Sequence, residues 1–453
     1  MLAYEPPRVA QRTRRVAVVG SGIAGLTAAY AFSSEGDEVT IFERERRLGV
    51  DSTSVTVTTA SVERRIDTPP RAISASYYPT LLALYRDAGI ELQPWSWAWS
   101  YLVHGSARPF LRVSGGAQTR APDADRAAAG GGGVGARTRL RFESLPEVTD
   151  LAMLLQLLRP RTLLMLLDAV RFHWHLRRDS PVACADLSLR EYLAAREIGR
   201  DFTERLLLPI LAMVCTCSYA AVLAYPVVVL RAYLTSLSSH NQFRARHGTD
   251  HTAARLSRRC ARVELGCDVR AVLGAPDKSA LAQPAVVYVP AGASAEVREY
   301  FDVVVLATPA DVSAALVGAS RPSLRETLSC FRYESSSVLL HRHPVVMPPL
   351  RKDWSVASVV IAQDLSRAMF TLHANHKDCL DVQHAPSAAG GGGGSGPSDE
   401  LFMTWAPLPG LADLELAAAT TRHGAARAPR APPADSTDSS DASSSSPAMS
   451  DDG

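Results

Sequence analysis

The sequence predicts an α/β protein: a Rossmann-like domain with a parallel sheet, interleaved with a largely helical α+β domain. Residues 16–19 form a short β-branched apolar run ending in glycine, residues 24–33 read as a helix, and residues 38–43 (EVTIFE) alternate as a strand, so the chain opens as a βαβ unit. Residues 300–307 (YFDVVVLA) make a continuous apolar run, as expected of a strand buried on both faces that returns to the sheet opened at Val16. Between these lie helical patterns at residues 81–88, at 151–177 with a break at Arg159-Pro160-Arg161, and at 187–196 after Asp-Leu-Ser.

The 453 residues suggest two or three domains at roughly 100–200 residues each. Hydrophobic residues at 47% and charged residues at 21% fit a globular chain, but the 29 glycines and 29 prolines are unevenly placed. Residues 114–139, 274–295 and 386–398 read as low-complexity insertions and 420–453 as a disordered tail, because such compositions bury too little apolar surface to offset ordering entropy. Within 274–295, the run at 286–289 can also be the turn-back strand of a hairpin. The expected organisation is an extension at 1–15, a dinucleotide-binding domain at 16–75 and 245–330, and a second domain at 76–244 and 331–410.

The 48 Lys plus Arg and 46 Asp plus Glu leave a formal charge of +2, which gives no net field to attract nucleic acid. Seven cysteines, an odd number, and no secretory apolar region at the start favour a reducing compartment: cytoplasmic or organellar, not secreted. Arg8, Arg12, Arg14 and Arg15 against Glu5 alone are compatible with a clipped plastid or other organelle transit peptide. The Cys215-Thr216-Cys217 motif lacks a second Cys/His pair at ligand spacing, so apolar packing is favoured and no metal is expected.

The sharpest motif is Gly20-Ser21-Gly22-Ile23-Ala24-Gly25, after a strand and at the opening of a helix. Gly20 permits the tight turn, Gly22 the approach of a pyrophosphate, and Gly25 close helix packing on the strand. The helix N-terminus offers unpaired N–H groups and the positive end of its dipole. Glu43, ending the second strand, is placed to accept both ribose hydroxyls of an adenosine and to repel a 2′-phosphate, which disfavours NADP.

Beyond Glu43 the chain reads Arg44-Glu45-Arg46-Arg47-Leu48-Gly49-Val50-Asp51. Here it resembles the flavin amine oxidase and carotenoid desaturase superfamily, in which an acid is followed by R-x-G-G. Arg47 and Gly49 match; Val50 stands at the second glycine and Asp51 replaces a small or basic residue. The closer resemblance is to the predicted NAD/FAD-binding, amine-oxidase-like subgroup, carried by Arg65-Ile66-Asp67-Thr68-Pro69, Tyr77-Tyr78-Pro79, Leu206-Leu207-Leu208-Pro209-Ile210, residues 301–311 (FDVVVLATPAD) and residues 347–354. It implies FAD rather than NAD as cofactor, with Gly20, Ser21, Gly22, Ala24, Gly25, Glu43, Arg44, Arg47 and Gly49 in the cradle. Val269 would meet the adenine edge through its backbone, Asp67-Thr68 would lie near the flavin ring, and Ala307-Thr308-Pro309 would close a strand behind the cofactor. By sequence alone Asp67 reads equally well as a turn acid. Nothing after Trp405 matches the superfamily's last flavin-binding segment, so the resemblance implies a flavin pocket open on one side.

Residues 206–230 contain no Asp, Glu, Lys or Arg over 25 positions, long enough to span a bilayer. Pro209 and Pro226 break the run, which favours buried helices of a substrate domain over a membrane dip or span. Residues 151–158 and 163–167 are better candidates for peripheral membrane contact, because apolar faces there flank Arg159 and Arg161, although core packing is the commoner use of such faces. Trp95, Trp97, Trp99 and Tyr101 alternate with period two, which reads as one strand face, either packed core or the wall of an apolar pocket. His173 and His175 point apart on a helix and lack a third ligand. The expected activity is oxidation of a small apolar or amine substrate by hydride transfer to FAD, with no catalytic residue identified from sequence. The alternatives are a non-catalytic or truncated dinucleotide-binding protein and a membrane-associated lipid-binding protein.

Overall fold

The opening βαβ unit forms the strand Arg15–Val19, the helix Ile23–Ser34 and the strand Glu38–Glu43. The computed structural model describes residues 13–49, 53–59, 62–95, 98–113, 151–236, 242–274, 283–318, 321–374 and 400–409. Val50, Asp51, Trp97, Cys379, the stretches 114–139 and 386–398 and the 420–453 tail lie outside them, as do the first twelve residues. Arg15, placed by sequence in the N-terminal extension, opens the first strand.

The central sheet is four-stranded and parallel, in the order Arg262–Leu265, Glu38–Glu43, Arg15–Val19, Val303–Leu306. Side-chain alternation divides it into two interfaces. Val16, Val18, Val39 and Ile41 pack on Leu26 and Ala29 of the first helix and on Ala253 and Leu256 of the helix Gly248–Ser257. Ala17, Val19 and Phe42 face the other way, onto Val272, Val286, Tyr288 and Phe301. That second layer is a three-stranded antiparallel sheet of Asp268–Leu273, Ala285–Val289 and Val297–Tyr300. Much of 274–295 is therefore not a surface insertion: its apolar run is the middle strand of this layer, the hairpin alternative, with Ala285 to Tyr288 buried.

The single strand expected at 300–307 is two. Phe301 is buried in the second layer and the Asp302 carboxylate accepts the Arg15 N–H at 2.7 Å, so the chain changes sheets at these residues. The helix Pro79–Asp87, assigned by sequence to the second domain, buries Tyr85 in the cluster of the first.

The second domain is a six-stranded mixed sheet, ordered Val338–His341, Phe402–Trp405, Ala368–His373, Ala357–Ile361, Trp99–Val103, Leu111–Val113, with helices on one face. Pro160 ends the helix Leu151–Leu157 and stands in the first turn of Pro160–Arg178, as the break in the pattern predicts. Ser188 and Glu191 close a reciprocal capping box on the helix Leu189–Ala195. The uncharged 206–230 run is folded into the short helices Leu208–Cys215, Tyr219–Ala224 and the start of Val227–Ser236, whose Leu208, Leu211, Val222, Val227 and Leu230 are core. Among the described residues no helix is long and apolar enough to cross a membrane.

Of the four alternating aromatics, Trp95 does not share a strand with Trp99 and Tyr101. Leu92–Pro94 pairs with Gln242–Ala245 in a separate small sheet, while Trp99 and Tyr101 lie in the six-stranded sheet, stacked at 6.3 Å and packed into the core.

Two buried polar contacts hold the six-stranded sheet's margins. Asp353, fully buried, takes a bidentate pair from Arg108, Nε at 2.9 Å and Nη2 at 2.8 Å. His341, also buried, accepts the His343 N–H on Nδ1 at 3.1 Å, which assigns its proton to Nε2, donated to Thr404 Oγ1 at 2.8 Å.

Asp353→Ala removes both hydrogen bonds from the half-buried Arg108, so it should lower unfolding free energy by about 1.5–3 kcal/mol in denaturant titration, and adding Arg108→Ala should restore part of it. Burial, and secondarily His343, depresses the His341 pKa from 6.5 to about 4. Above pH 6.5 the ring is neutral in both states; as pH falls toward 4 the unfolded chain takes up a proton that the folded chain does not. Stability should fall across that window by on the order of 3 kcal/mol, and thermal melts of His341→Gln should show a shallower loss.

Candidate functional site

The site begins at the turn between the first strand and first helix. The Gly20 N–H donates to Phe42 O at 2.8 Å and its φ is +98°, a conformation that costs little only without a Cβ. A Cβ at Gly25 would lie 2.0 Å from Gly20 O and 3.1 Å from the Ala307 Cβ, so the helix rests on the strand only because glycine is there. Ala307 supports the turn from behind, its N–H donating to Val19 O at 2.9 Å. Gly22 caps the helix without a side-chain hydrogen bond, and the first turn holds no acidic residue. The N-terminal N–H groups and the dipole therefore face an open position suited to an anion.

Ser21 joins the three parts of the cradle. Its N–H and hydroxyl donate to Glu43 Oε2 at 2.8 and 2.6 Å, while its Oγ accepts the Gly49 N–H at 3.2 Å. Glu43 Oε1 accepts the Glu45 N–H at 2.8 Å. Three donors already meet a carboxylate with about four lone-pair sites, so binding a ribose diol requires the Ser21 hydroxyl to turn aside. Gly20, Ser21, Gly22, Ala24, Gly25, Glu43 and Gly49 thus gather at the carboxyl edge of the sheet, where α/β folds bind ligands. Arg44 and Arg47 are exposed, and Arg44 is directed to Glu45 at 3.7 Å. Val269 is half-buried on the strand Asp268–Leu273, whose approach is tied to the cradle by Cys267 N–H to Glu43 O at 3.1 Å and Gly266 N–H to Glu45 O at 2.9 Å.

Asp67 accepts the N–H and hydroxyl of Thr249 at 3.2 and 3.1 Å, so it caps the helix Gly248–Ser257 from the neighbouring strand Val62–Thr68. Thr68 beside it is fully buried, with a hydroxyl that finds no hydrogen-bond partner among the described residues.

A cavity of about 640 Å³ lies in the second domain between the six-stranded sheet and the helix Leu208–Cys215. Val359, Ala368, Phe370 and Trp405 line it from the sheet, Pro209, Ala212 and Met213 from the helix. Glu334, Ser218 and Arg367 add polar groups; Ser218 N–H and Oγ donate to the Glu334 carboxylate at 2.6 and 3.0 Å. Burial raises the Cys217 thiol to about 11, so it remains protonated at neutral pH and packs as a small apolar group. Tyr219 also lines the cavity, with a buried hydroxyl that makes no hydrogen bond among the described residues. Sequence reasoning missed this wall because its residues come from four distant segments with no local pattern.

His173 Nδ1 meets Ala169 O at 2.9 Å and His175 lies against Trp174, which leaves the two imidazoles in separate surroundings. Among the described residues no group of three or more His, Cys, Asp or Glu is arranged to hold a metal.

The βαβ unit with its glycine turn, on a four-stranded parallel sheet, defines a Rossmann-like α/β fold. A family profile described as NAD(P)-binding Rossmann-like domain matches residues 18–88. Among solved structures the chain is similar to an oxidoreductase from Methanosarcina mazei, at 12% identity and TM-score 0.50, over 86% of this chain and 78% of that one. It is similar also to a putrescine oxidase bound to putrescine, at 13% identity and TM-score 0.50, over 87% and 75%. At these identities the likeness is one of fold. A flavin-containing monooxygenase of the GS-OX-like type from Arabidopsis thaliana is 39% identical over 79 residues, which is 17% of this chain and 16% of that relative's length.

Because a side chain at position 25 meets backbone rather than a flexible neighbour, Gly25→Val should weaken adenine-dinucleotide binding by at least about tenfold in calorimetric titration with FAD, with the far-UV circular dichroism retained.

Proposed function

We propose that this chain is an FAD-dependent oxidoreductase that oxidises a small apolar or amine substrate. The observation that carries the reading is the cradle: an uncapped helix N-terminus over a glycine turn, with the Glu43 carboxylate at the end of the adjacent strand. These groups fit a dinucleotide. The backbone of Gly20, Gly22, Ala24 and Gly25 would meet the pyrophosphate, Glu43 the adenosine ribose, and Arg47 and Gly49 would continue the contact. The shared fold, and the resemblance at Arg47-Leu48-Gly49, favour FAD within that class; the Glu43 charge opposes a 2′-phosphate.

When bound, FAD supplies a two-electron acceptor for the hydride of a substrate C–H bond, the accompanying proton leaving from the adjacent nitrogen or carbon. The protein's part is to hold the substrate and exclude water. The cavity volume is that of a site for a small organic ligand, and Phe370, Trp405, Met213 and Val359 favour a hydrocarbon body. Glu334 and Arg367 give the same cavity one group of each sign, and the carboxylate is the one that attracts an amine's charge.

The purified chain, reconstituted with FAD, should absorb between about 370 and 450 nm, and anaerobic addition of a substrate amine or unsaturated chain should bleach the longer-wavelength band. Failure to retain flavin overturns the reading, whereas retention without bleaching by any such compound favours a non-catalytic dinucleotide-binding protein.

A further inference from the structure

The helix Pro160–Arg178 carries two apolar faces, and the fold uses one of them. Thr162, Met165, Ala169, Phe172 and Leu176, at spacings of three and four, are buried in the second-domain core. On the opposite side Leu163, Leu164, Leu167 and Trp174 are exposed. The preceding helix continues the pattern: Leu151, Leu154, Leu155 and Leu158 lie at i, i+3, i+4 and i+7, and the exposed leucines of the two helices range from 39% to 69% accessible. Seven leucines at helical spacing form a patch, not the isolated apolar residues ordinary on surfaces.

The charges around the patch identify its partner. Residues 151–178 contain five arginines, Arg159, Arg161, Arg171, Arg177 and Arg178, against Asp168 alone. Arg161 pairs with Asp201 at 2.6 Å and Arg171 with Asp168 at 2.9 Å; among the described residues no ion pair engages Arg159, Arg177 or Arg178. Arg178 lies over the Trp174 ring at 4.9 Å, which joins a cation to an amphipathic aromatic at one end of the apolar face. Leucine with flanking arginine and tryptophan is the composition of a helix lying in a bilayer interface, with its apolar face among the acyl chains and its cations at the phosphates. A second copy of the same surface would set arginines against arginines.

We propose that the face formed by Leu151–Leu157 and Pro160–Arg178 docks this protein on anionic lipid bilayers, lying along the surface and not crossing it. The contact is independent of the cofactor reading, since it uses only the outer face of two helices.

The test is co-sedimentation of the full chain with vesicles of phosphatidylcholine alone or with phosphatidylglycerol added. The expected result is pelleting with the anionic vesicles, weaker with neutral ones and reduced by salt. The triple variant Leu155→Glu, Leu164→Glu, Leu167→Glu should bind at least about tenfold more weakly, with its unfolding midpoint unchanged because these side chains are exposed. The proposal is overturned if the wild-type chain stays in the supernatant, if neutral and anionic vesicles bind it equally, or if the variant pellets as well as the wild type. A lipid-independent dimer dissolved by the same substitutions, without vesicle binding, overturns it in favour of a second copy.

Discussion

The structure depends on how closely the first helix approaches the first strand. A Cβ at Gly25 would lie 2.0 Å from Gly20 O, and the close approach that leaves no room for one places the helix N-terminus at the sheet's edge. Moved outward by the thickness of a methyl group, the helix would carry its N–H groups away from Glu43, and Ser21 could not bridge Glu43 Oε2 and the Gly49 N–H. The cradle is therefore a consequence of packing. The buried Leu26 and Ala29, on the helix's core side, fix the geometry that its N-terminal end presents to a ligand.

That packing in turn needs strands from far along the chain. Arg15–Val19 is flanked by Glu38–Glu43 and Val303–Leu306, and the outer strand is Arg262–Leu265. Loop closure over such separations costs chain entropy that the first strand cannot offset alone. The second domain occupies most of the chain between the halves of this sheet. The cavity and the cradle are consequently supported by one topology, although no residue is shared between their linings.

How far the sequence revealed this follows from whether each signal was local. The βαβ start was legible because an apolar β-branched run, an alanine-rich helical segment and an alternating strand met around a glycine turn within thirty residues. The broken helix at Pro160 and the cap at Ser188 were legible for the same reason, since a proline or a capping serine acts on its own turn. The apolar run at 300–307 concealed a change of sheet, because hydrophobicity reports burial and not the neighbour providing it. Trp99 and Tyr101 share a face, but the regular spacing back to Trp95 crosses from one sheet to another. The cavity was not legible: Met213, Glu334, Val359 and Trp405 meet only after four segments have folded. Ser21 was legible as a member of the motif but not as the bracket joining Glu43 to Gly49, because hydrogen-bond direction is not encoded by spacing.

Net charge does not report the charge of any one surface. A balance of 48 basic and 46 acidic residues excludes a strong field over the whole molecule, but a surface acts on its surroundings only within about one screening length, roughly 8 Å at physiological salt. Within residues 151–178 the balance is five arginines to one aspartate, on helices that also expose seven leucines. Each property alone has an ordinary explanation: arginines solvate helices, and leucines at three- and four-residue spacing pack cores. Here the core explanation is already taken by Met165, Phe172 and Leu176 on the opposite face of the helix, so the exposed leucines need another one. An apolar face flanked by arginines, three of them without an ion pair among the described residues, is stable in water only at a cost, and anionic lipid offsets both parts of that cost at once by covering the leucines and pairing those arginines.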